Sequence, residues 1–283
     1  MEDDFDGADV LVETPTTALT EALSKRKRKR AKEKANKASA LTSTPTTSTS
    51  RPPTKKSKPS TSKTTTTPDD GSIDETIAHM DPPLLADYVA ARLKHWSPTL
   101  SSVELQDQYL PASLFTDTTQ WTSQRTLANL PNYLEKCCRV AGAKKFRLDR
   151  AAEEKGAPHT LVITSAALRA SRIASALRKY QAKEAMVAKL FAKHIKVAES
   201  VEMCKDNRIG IAVGTPSRIL EVLNEGVLKL DELRWIVVDA SYVDKKGFGV
   251  FRIREVHRGI MDFFGHEKTK QRFEEGTLKI LFF

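Results

Sequence analysis

This chain of 283 residues contains only three cysteines, and their spacing matches neither a metal site nor a disulfide framework. Cys137 and Cys138 are adjacent, Cys204 lies far from both, and no pair of histidines stands near them. Structural zinc sites usually take ligands spaced by about two to four residues. We therefore predict free, buried thiols in a reducing compartment, and no metal site.

Long apolar runs and a secretory leader are also missing. No stretch approaches the roughly 18 consecutive apolar residues that a membrane-spanning helix requires, so no membrane partner is expected. The chain begins with acidic residues (MEDD) rather than with cations followed by an apolar segment, which argues against a signal peptide.

A phosphate-binding loop is absent as well. The pattern Gly-x-x-x-x-Gly-Lys-Ser/Thr, whose backbone amides cradle phosphates, occurs nowhere in the chain. The nearest Gly-rich segment, Lys245–Gly249, lacks the Ser/Thr and is interpreted as a turn in a loop. We therefore predict that the protein uses no nucleotide and no other cofactor.

Positive charge is abundant and is spread along the chain. The formal net charge is +10. Residues 1–70 carry 14 basic and 10 acidic side chains, and the remainder carries 32 and 26. Because both parts are basic, we expect an acidic partner such as nucleic acid.

Residues 1–72 are predicted to be a disordered tail, followed by a folded domain at 73–283. The tail has an acidic start, a basic run, and then a Ser/Thr/Pro-rich stretch that is almost without apolar residues. Such a composition buries too little surface to offset the entropy of ordering. We interpret six consecutive cations as a signal that a nuclear import receptor binds. The same run of cations could also bind nucleic acid. They are Lys25, Arg26, Lys27, Arg28, Lys29 and Arg30.

The apolar patterns of residues 73–283 predict an α/β fold. Short runs rich in Val, Ile and Leu are typical of buried parallel strands, and they occur at 161–164, 187–191, 209–213, 235–238 and 278–282. Helical spacing predicts helices at 165–183, 197–205, 216–224 and 252–264, with a helical extension at 82–96 and 127–140. Together these predict one open parallel sheet of about five strands with helices on both faces.

The most informative turn follows the third of these strands. There Thr215 can cap a helix, Pro216 suits its first turn, and Arg218 lies one turn further. Free amides and the helix dipole converge at such a helix start. We therefore predict a phosphate contact there, with helix capping alone as the alternative.

This turn, and the segment after the fourth strand, resemble motifs of the first RecA-like domain of DEAD-box RNA helicases. The family reads Thr-Pro-Gly-Arg at the first motif and Asp-Glu-Ala-Asp at the second. Here the second motif is degenerate and reads Asp239, Ala240, Ser241 and Tyr242. With Ala240 in the place of Glu, the resemblance implies that no group positions the attacking water. We therefore expect a pseudo-helicase without catalysis. We also expect no second RecA-like lobe, because only one residue follows the last predicted strand.

A third helicase motif, Pro-Thr-Arg-Glu-Leu, corresponds to residues 164–168, which read Thr-Ser-Ala-Ala-Leu and contain no Arg. Arg169 or Arg172, on the first turns of the next helix, could substitute as RNA contacts, and a solvated helix face is the alternative. The candidate RNA-binding residues are therefore Arg169, Arg172, Thr215, Pro216 and Arg218.

A narrower resemblance covers residues 80–283 and is carried by Leu190–Val197, Val213–Ile219 and the lone Asp239. These segments resemble the CMS-type (CMSS) family of nucleolar proteins. That resemblance implies a non-catalytic assembly factor of the small-subunit pre-ribosome, in the nucleus and nucleolus. Its implied partners are rRNA or other RNA and processome proteins. Two alternatives stay open, a doubly wound enzyme that uses a nucleotide or adenosylmethionine, and a DNA or chromatin adaptor.

Overall fold

Five parallel strands form the centre of the fold in the computed structural model, which describes residues 71–138 and 146–283. The strands of these segments, in chain order, are β1 (Ser72–Ile73), β2 (Thr160–Ile163), β3 (Met186–Leu190), β4 (Ile209–Gly214), β5 (Trp235–Val238), β6 (Tyr242–Val243) and β7 (Lys279–Phe282). The sheet has the order β3-β4-β2-β5-β7, and every pair in it is parallel. Strands β1 and β6 form a separate antiparallel pair.

Eight α-helices accompany these strands in the part of the chain that the structure describes. They are α1 (Pro82–Trp96), α2 (Ser102–Gln106), α3 (Leu130–Cys137), α4 (Ala167–Ala176), α5 (Val197–Asp206), α6 (Pro216–Asn224), α7 (Arg254–Gly265) and α8 (Glu267–Glu274). None of these helices is long and apolar enough to cross a membrane.

The sheet is covered on both faces, as predicted. Side chains alternate across a strand, so Leu161 and Ile163 enter one core while Val162 enters the other. Helices α1, α5, α6, α7 and α8 pack on the first face, and α3 and α4 pack on the second. Every residue of β2, β4 and β5 is buried, which explains their continuous apolar composition.

One edge of the sheet is partly covered by the segment between α2 and α3. Phe115 forms a parallel bridge with Ile280 of β7, and the amide of Thr116 donates to the Ile280 carbonyl at 2.9 Å. The buried guanidinium of Arg125 donates to the carbonyl of Phe282 at the end of the same strand. An edge strand with unpaired backbone groups can pair with another chain, and these contacts shorten the open stretch of β7.

The five predicted strands and both faces of helices are confirmed, whereas several boundaries differ. The predicted helix at 165–183 ends at Ala176 and continues as a 3-10 turn over Leu177–Tyr180. Helix α8 was not predicted, because only Thr269 and Phe273 of its eight residues are buried and the apolar pattern is too sparse. Residues 1–70 of the predicted tail, 1–72, and the end of the predicted helix beyond residue 138 lie outside the described residues. The predicted end of the tail was wrong, because Ser72 belongs to β1 and pairs with Val243.

The three thiols lie against apolar surroundings, in agreement with the prediction. Cys138 and Cys204 are buried and Cys137 is half-buried, and all three are free. Burial raises the pKa of Cys137 and of Cys204 to about 11. Because the thiolate is the reactive form, these cysteines are weak nucleophiles at neutral pH.

Candidate nucleic-acid interface at the carboxyl ends of the strands

The carboxyl ends of β2, β4 and β5 meet at one edge of the sheet because the strands are parallel. The chain leaves β2 through α4 on one face, and leaves β4 and β5 through α6 and α7 on the other. In an open α/β sheet, ligands bind in the crevice where the connections change faces. The predicted RNA-binding residues lie on the two helices that follow β2 and β4 at this edge.

A buried ion pair fills the crevice between β2 and β5. The carboxylate of Asp239 accepts two hydrogen bonds from the Arg169 guanidinium, at 2.9 and 3.0 Å, and one from the Thr164 hydroxyl at 2.8 Å. Asp239 and Arg169 are only 2% and 3% exposed. The ring of Tyr242 covers the guanidinium, with 4.2 Å between its centroid and the guanidinium carbon.

This cluster gives the degenerate acidic motif a structural role. The Asp239 carboxylate is held by protein donors and turned inward, while Ala240 and Ser241 are buried behind it. Tyr242 pairs with Ile73 in the small antiparallel sheet. Arg169, expected as an RNA contact, has its guanidinium directed to this carboxylate and is almost fully buried.

The turn after β4 keeps the predicted backbone but not the predicted cap. Thr215 stands at the N-cap position of α6, yet its side chain makes no capping hydrogen bond. Its backbone amide donates instead to the Leu190 carbonyl of β3 at 3.0 Å, and its carbonyl accepts from the Ile219 amide at 3.1 Å. Pro216 occupies the first turn, as predicted, and is buried.

Arg218 is buried beneath the loop that connects β3 to α5. Its guanidinium donates to the Ile195 carbonyl at 2.9 Å, to the Ser200 hydroxyl at 3.1 Å, and to the Glu221 carboxylate at 2.8 Å. The side chain is 5% exposed. These contacts turn its donors toward the protein, so Arg218 supports the loop and does not present its charge to solvent.

The supported loop carries exposed basic residues at this edge. We call residues 192–196 the basic loop, in which Lys193, His194 and Lys196 are exposed. No ion pair joins any of the three to another described residue. His194 has a φ of 62°, a conformation that costs a non-glycine residue energy and that is enriched at functional sites.

The candidates therefore fall into separate groups. Arg169 and Arg172 belong to α4 on one face of the sheet, whereas Thr215, Pro216 and Arg218 belong to the start of α6 on the other. Arg172 is half-buried and borders a shallow depression with Leu127 and Ser175. The sequence analysis predicted the phosphate contacts at helix starts and did not include Lys193 or Lys196. Two lysines within four residues were the available signal.

Two further predictions concern a metal site and the nuclear import signal. No group of three or more His, Cys, Asp or Glu side chains in the described segments could hold a metal ion. The predicted import signal, 25–30, lies outside those segments.

Comparison with known protein families gives a family-model match for the chain. A family model described as "CMS1: U3-containing 90S pre-ribosomal complex subunit" matches residues 14–283. The chain belongs to the CMS1 family. The resemblance carried by Leu190–Val197, Val213–Ile219 and Asp239 is thereby confirmed.

Relatives within this family come from fungi and vertebrates. Protein CMS1 of Chaetomium thermophilum is 39% identical over 216 residues, which are 76% of this chain and 84% of that protein. Protein cms1 of Schizosaccharomyces pombe is 30% identical over 202 residues, 71% and 70% of the two chains. Human Protein CMSS1 is 31% identical over 160 residues, 56% and 54% of the two chains.

A crystal structure of a DEAD box protein from Methanococcus jannaschii aligns with a TM-score of 0.34 and 14% identity, over 57% of this chain and 37% of that chain.

Proposed function

We propose that this chain is a non-catalytic assembly factor of the small-subunit pre-ribosome, which acts in the nucleolus in ribosome biogenesis and rRNA processing. The observation that carries the proposal is membership of a family described as a subunit of the U3-containing 90S pre-ribosomal complex. Its partners on this account are pre-ribosomal RNA and processome proteins. A direct check is co-purification, in which the tagged chain should enrich U3 RNA and pre-rRNA; recovery at the level of an untagged control would contradict it.

The non-catalytic part of the proposal is supported by the closed crevice. An enzyme of the doubly wound type needs free polar groups where the strands end. In this chain Asp239 is engaged by Arg169 and Thr164, and Tyr242 covers the pair. We expect calorimetric titration of the full chain with ATP or adenosylmethionine to give no heat of binding. Stoichiometric binding of either compound would favour the enzyme alternative.

The basic loop is the part of the folded domain that we propose contacts RNA. Lys193, His194 and Lys196 present cations and donors that can neutralise phosphates, and Arg218 holds the backbone beneath them. In this arrangement Arg218 is a positioning residue, and the exposed side chains make the contact. Thr215 and Pro216 contribute by shaping the adjoining turn, and the half-buried Arg172 is a more distant candidate.

Charge reversal tests this assignment in vitro. The double variant Lys193→Glu/Lys196→Glu should lower affinity for a labelled single-stranded RNA by about tenfold, because two phosphate contacts become repulsive. The matched control is Lys155→Glu/Lys205→Glu, which changes the same charge at the opposite ends of the strands, where both lysines are exposed. Equal losses in the two variants would contradict a localised contact. Comparing RNA with duplex DNA of equal length separates the RNA proposal from a DNA adaptor.

The basic run of the tail is proposed as the nuclear address. Replacing all six residues of 25–30 by Ala should leave the protein in the cytoplasm, because an import receptor would lose its charged ligand. Fluorescence imaging of the tagged chain measures this. Unchanged nuclear accumulation would contradict the assignment.

A further inference from the structure

A groove of about 660 Å³ lies away from the carboxyl ends of the strands, between the loop after α2 and the corner where α7 meets α8. Its apolar lining is formed by six side chains: Leu110, Pro111, Leu114, Met261, Phe264 and Phe273. The ring of Tyr109 stands at its rim and is 40% exposed. Exposed aromatic rings beside an apolar floor are typical of protein–protein contact sites.

The charge of this groove is opposite to that of the whole chain. Three carboxylates, on Asp107, Asp262 and Glu274, line it together with one ammonium group, on Lys270. The chain as a whole carries a net charge of +10. A local excess of acidic groups on a basic protein would repel RNA and attract cations.

The carboxylates are available to a partner. Asp107 and Glu274 are exposed, and neither forms an ion pair with another described residue. Asp262 has one contact, with Arg258 at 3.7 Å, and both of those side chains are largely exposed. Exposed pairs of this kind are weak, so a cationic partner can replace the contact at little cost.

We propose that this groove binds a basic segment of a partner protein. One large apolar side chain of that segment sits on the floor beside Tyr109, and flanking Lys or Arg side chains lie against Asp107 and Glu274. Charge complementarity selects the partner class, and the apolar floor supplies the anchor. The inference is independent of the basic loop and of its RNA contact.

Peptide binding to the full chain tests the proposal. The probe is a fluorescent peptide of about twelve residues, rich in Lys and Arg, with a central Phe-Leu pair. A control peptide has Ser-Ser in place of Phe-Leu. Asp107→Lys/Glu274→Lys should weaken binding of the Phe-Leu peptide about tenfold, and Tyr109→Ala should weaken it severalfold. The control Glu199→Lys/Glu202→Lys makes the same change in net charge at two exposed residues of α5, and should leave the affinity within about twofold.

Each other outcome overturns the proposal. Equal weakening by the groove and control variants would mean that only net charge matters. Equal affinity for the Phe-Leu and Ser-Ser peptides would show that no apolar side chain of the peptide binds in the groove. If sedimentation shows a dimer of the unmodified chain that the groove variant dissociates, the groove is instead an interface between two copies. Because the substituted carboxylates are exposed, an unchanged melting temperature serves as the folding control in every case.

Discussion

Asp239 shows how protein donors can hold a single buried charge. Three donors from Arg169 and Thr164 satisfy its two carboxylate oxygens, and Tyr242 shields the pair from water. An acidic residue at the end of a parallel strand commonly binds a ligand, so its identity alone is ambiguous. Here its hydrogen-bond partners are side chains of the same chain, Arg169 and Thr164, which supports a structural role.

Asp239→Asn should destabilise the protein strongly. The substitution leaves the Arg169 guanidinium buried without its counter-charge, which costs about 3–5 kcal/mol. Denaturant unfolding monitored by tryptophan fluorescence measures the free energy of unfolding. The matched control, Asp231→Asn on an exposed residue, should change it by less than about 0.5 kcal/mol. A similar small effect for Asp239→Asn would show that the ion pair is not the element that closes the crevice.

His257 gives the stability a dependence on pH. Burial lowers its pKa to about 4, and the nearby charges of Arg92 and His95 act in the same direction. The unfolded chain, with an ordinary histidine pKa of about 6.5, therefore binds the proton first as the pH falls. The stability that neutral His257 contributes is fully present above about pH 6.5 and is lost as the pH falls toward 4.

His257→Phe should make the melting temperature less sensitive to acid. Between pH 7 and 4.5 the variant should lose about 2 kcal/mol less than the unmodified chain, because the proton uptake linked to this residue is gone. Calorimetric melting at both pH values gives the comparison. His159, whose pKa is also lowered to about 4 by burial, retains its own dependence in the variant. Identical acid sensitivity of the two proteins would exclude His257 as a source.

At the scale of elements, α6 and α7 meet through a glycine. A Cβ on Gly259 of α7 would lie 2.8 Å from the Cβ of Pro216, the buried proline that begins α6. The ring of a proline is rigid and cannot rotate away from such a contact. The absence of a side chain at 259 therefore sets how closely the turn after β4 approaches α7.

Gly259→Ala should therefore be destabilising despite the higher helix propensity of alanine. We expect it to be about 1–3 kcal/mol less stable than Gly265→Ala, in the same helix, where a new Cβ meets nothing within 4 Å. The difference between the two variants in denaturant unfolding isolates the overpacking. Equal stabilities would mean that α7 shifts without cost.

The large elements could be predicted from the sequence, because strands buried on both faces are apolar throughout and the helices between them have a regular apolar stripe. Helix α1 over Pro82–Trp96 agrees with its predicted bounds, since Asp81 caps it and two prolines occupy its first turn. Strands β1 and β6 have two residues each and leave no periodicity to detect. Such short elements depend on tertiary contacts that a local pattern does not contain.

The candidate site was harder to predict because the sequence shows where a charged residue stands but not whether its side chain points to solvent or into the protein. Arg169 and Arg218 stand on helix starts near strand ends, yet both are buried and hydrogen-bonded within the protein. Whether an arginine points outward depends on a carboxylate or carbonyl that is distant in sequence, such as Asp239 or Ile195. The sequence placed these residues at the carboxyl edge of the sheet and could not show which basic side chains remain exposed.

For the whole molecule, we propose separate surfaces for separate partners. The basic loop at the carboxyl ends of the strands is proposed for RNA, and the acidic groove beside α7 and α8 for a basic protein segment. Neither surface needs the crevice of the sheet, which Arg169 and Asp239 occupy. A scaffold of this kind would hold RNA and protein together without turnover.

Ultraviolet crosslinking in cells, with sequencing of the bound RNA and mapping of the crosslinked peptides, tests this account most directly. We predict dense reads on pre-rRNA or U3 RNA and crosslinked peptides that include the basic loop, 192–196. The Lys193→Glu/Lys196→Glu variant should lose those peptides, whereas Lys155→Glu/Lys205→Glu should keep them. Few reads, or crosslinks confined to residues 1–70, would contradict the claim that the folded domain binds RNA at this edge.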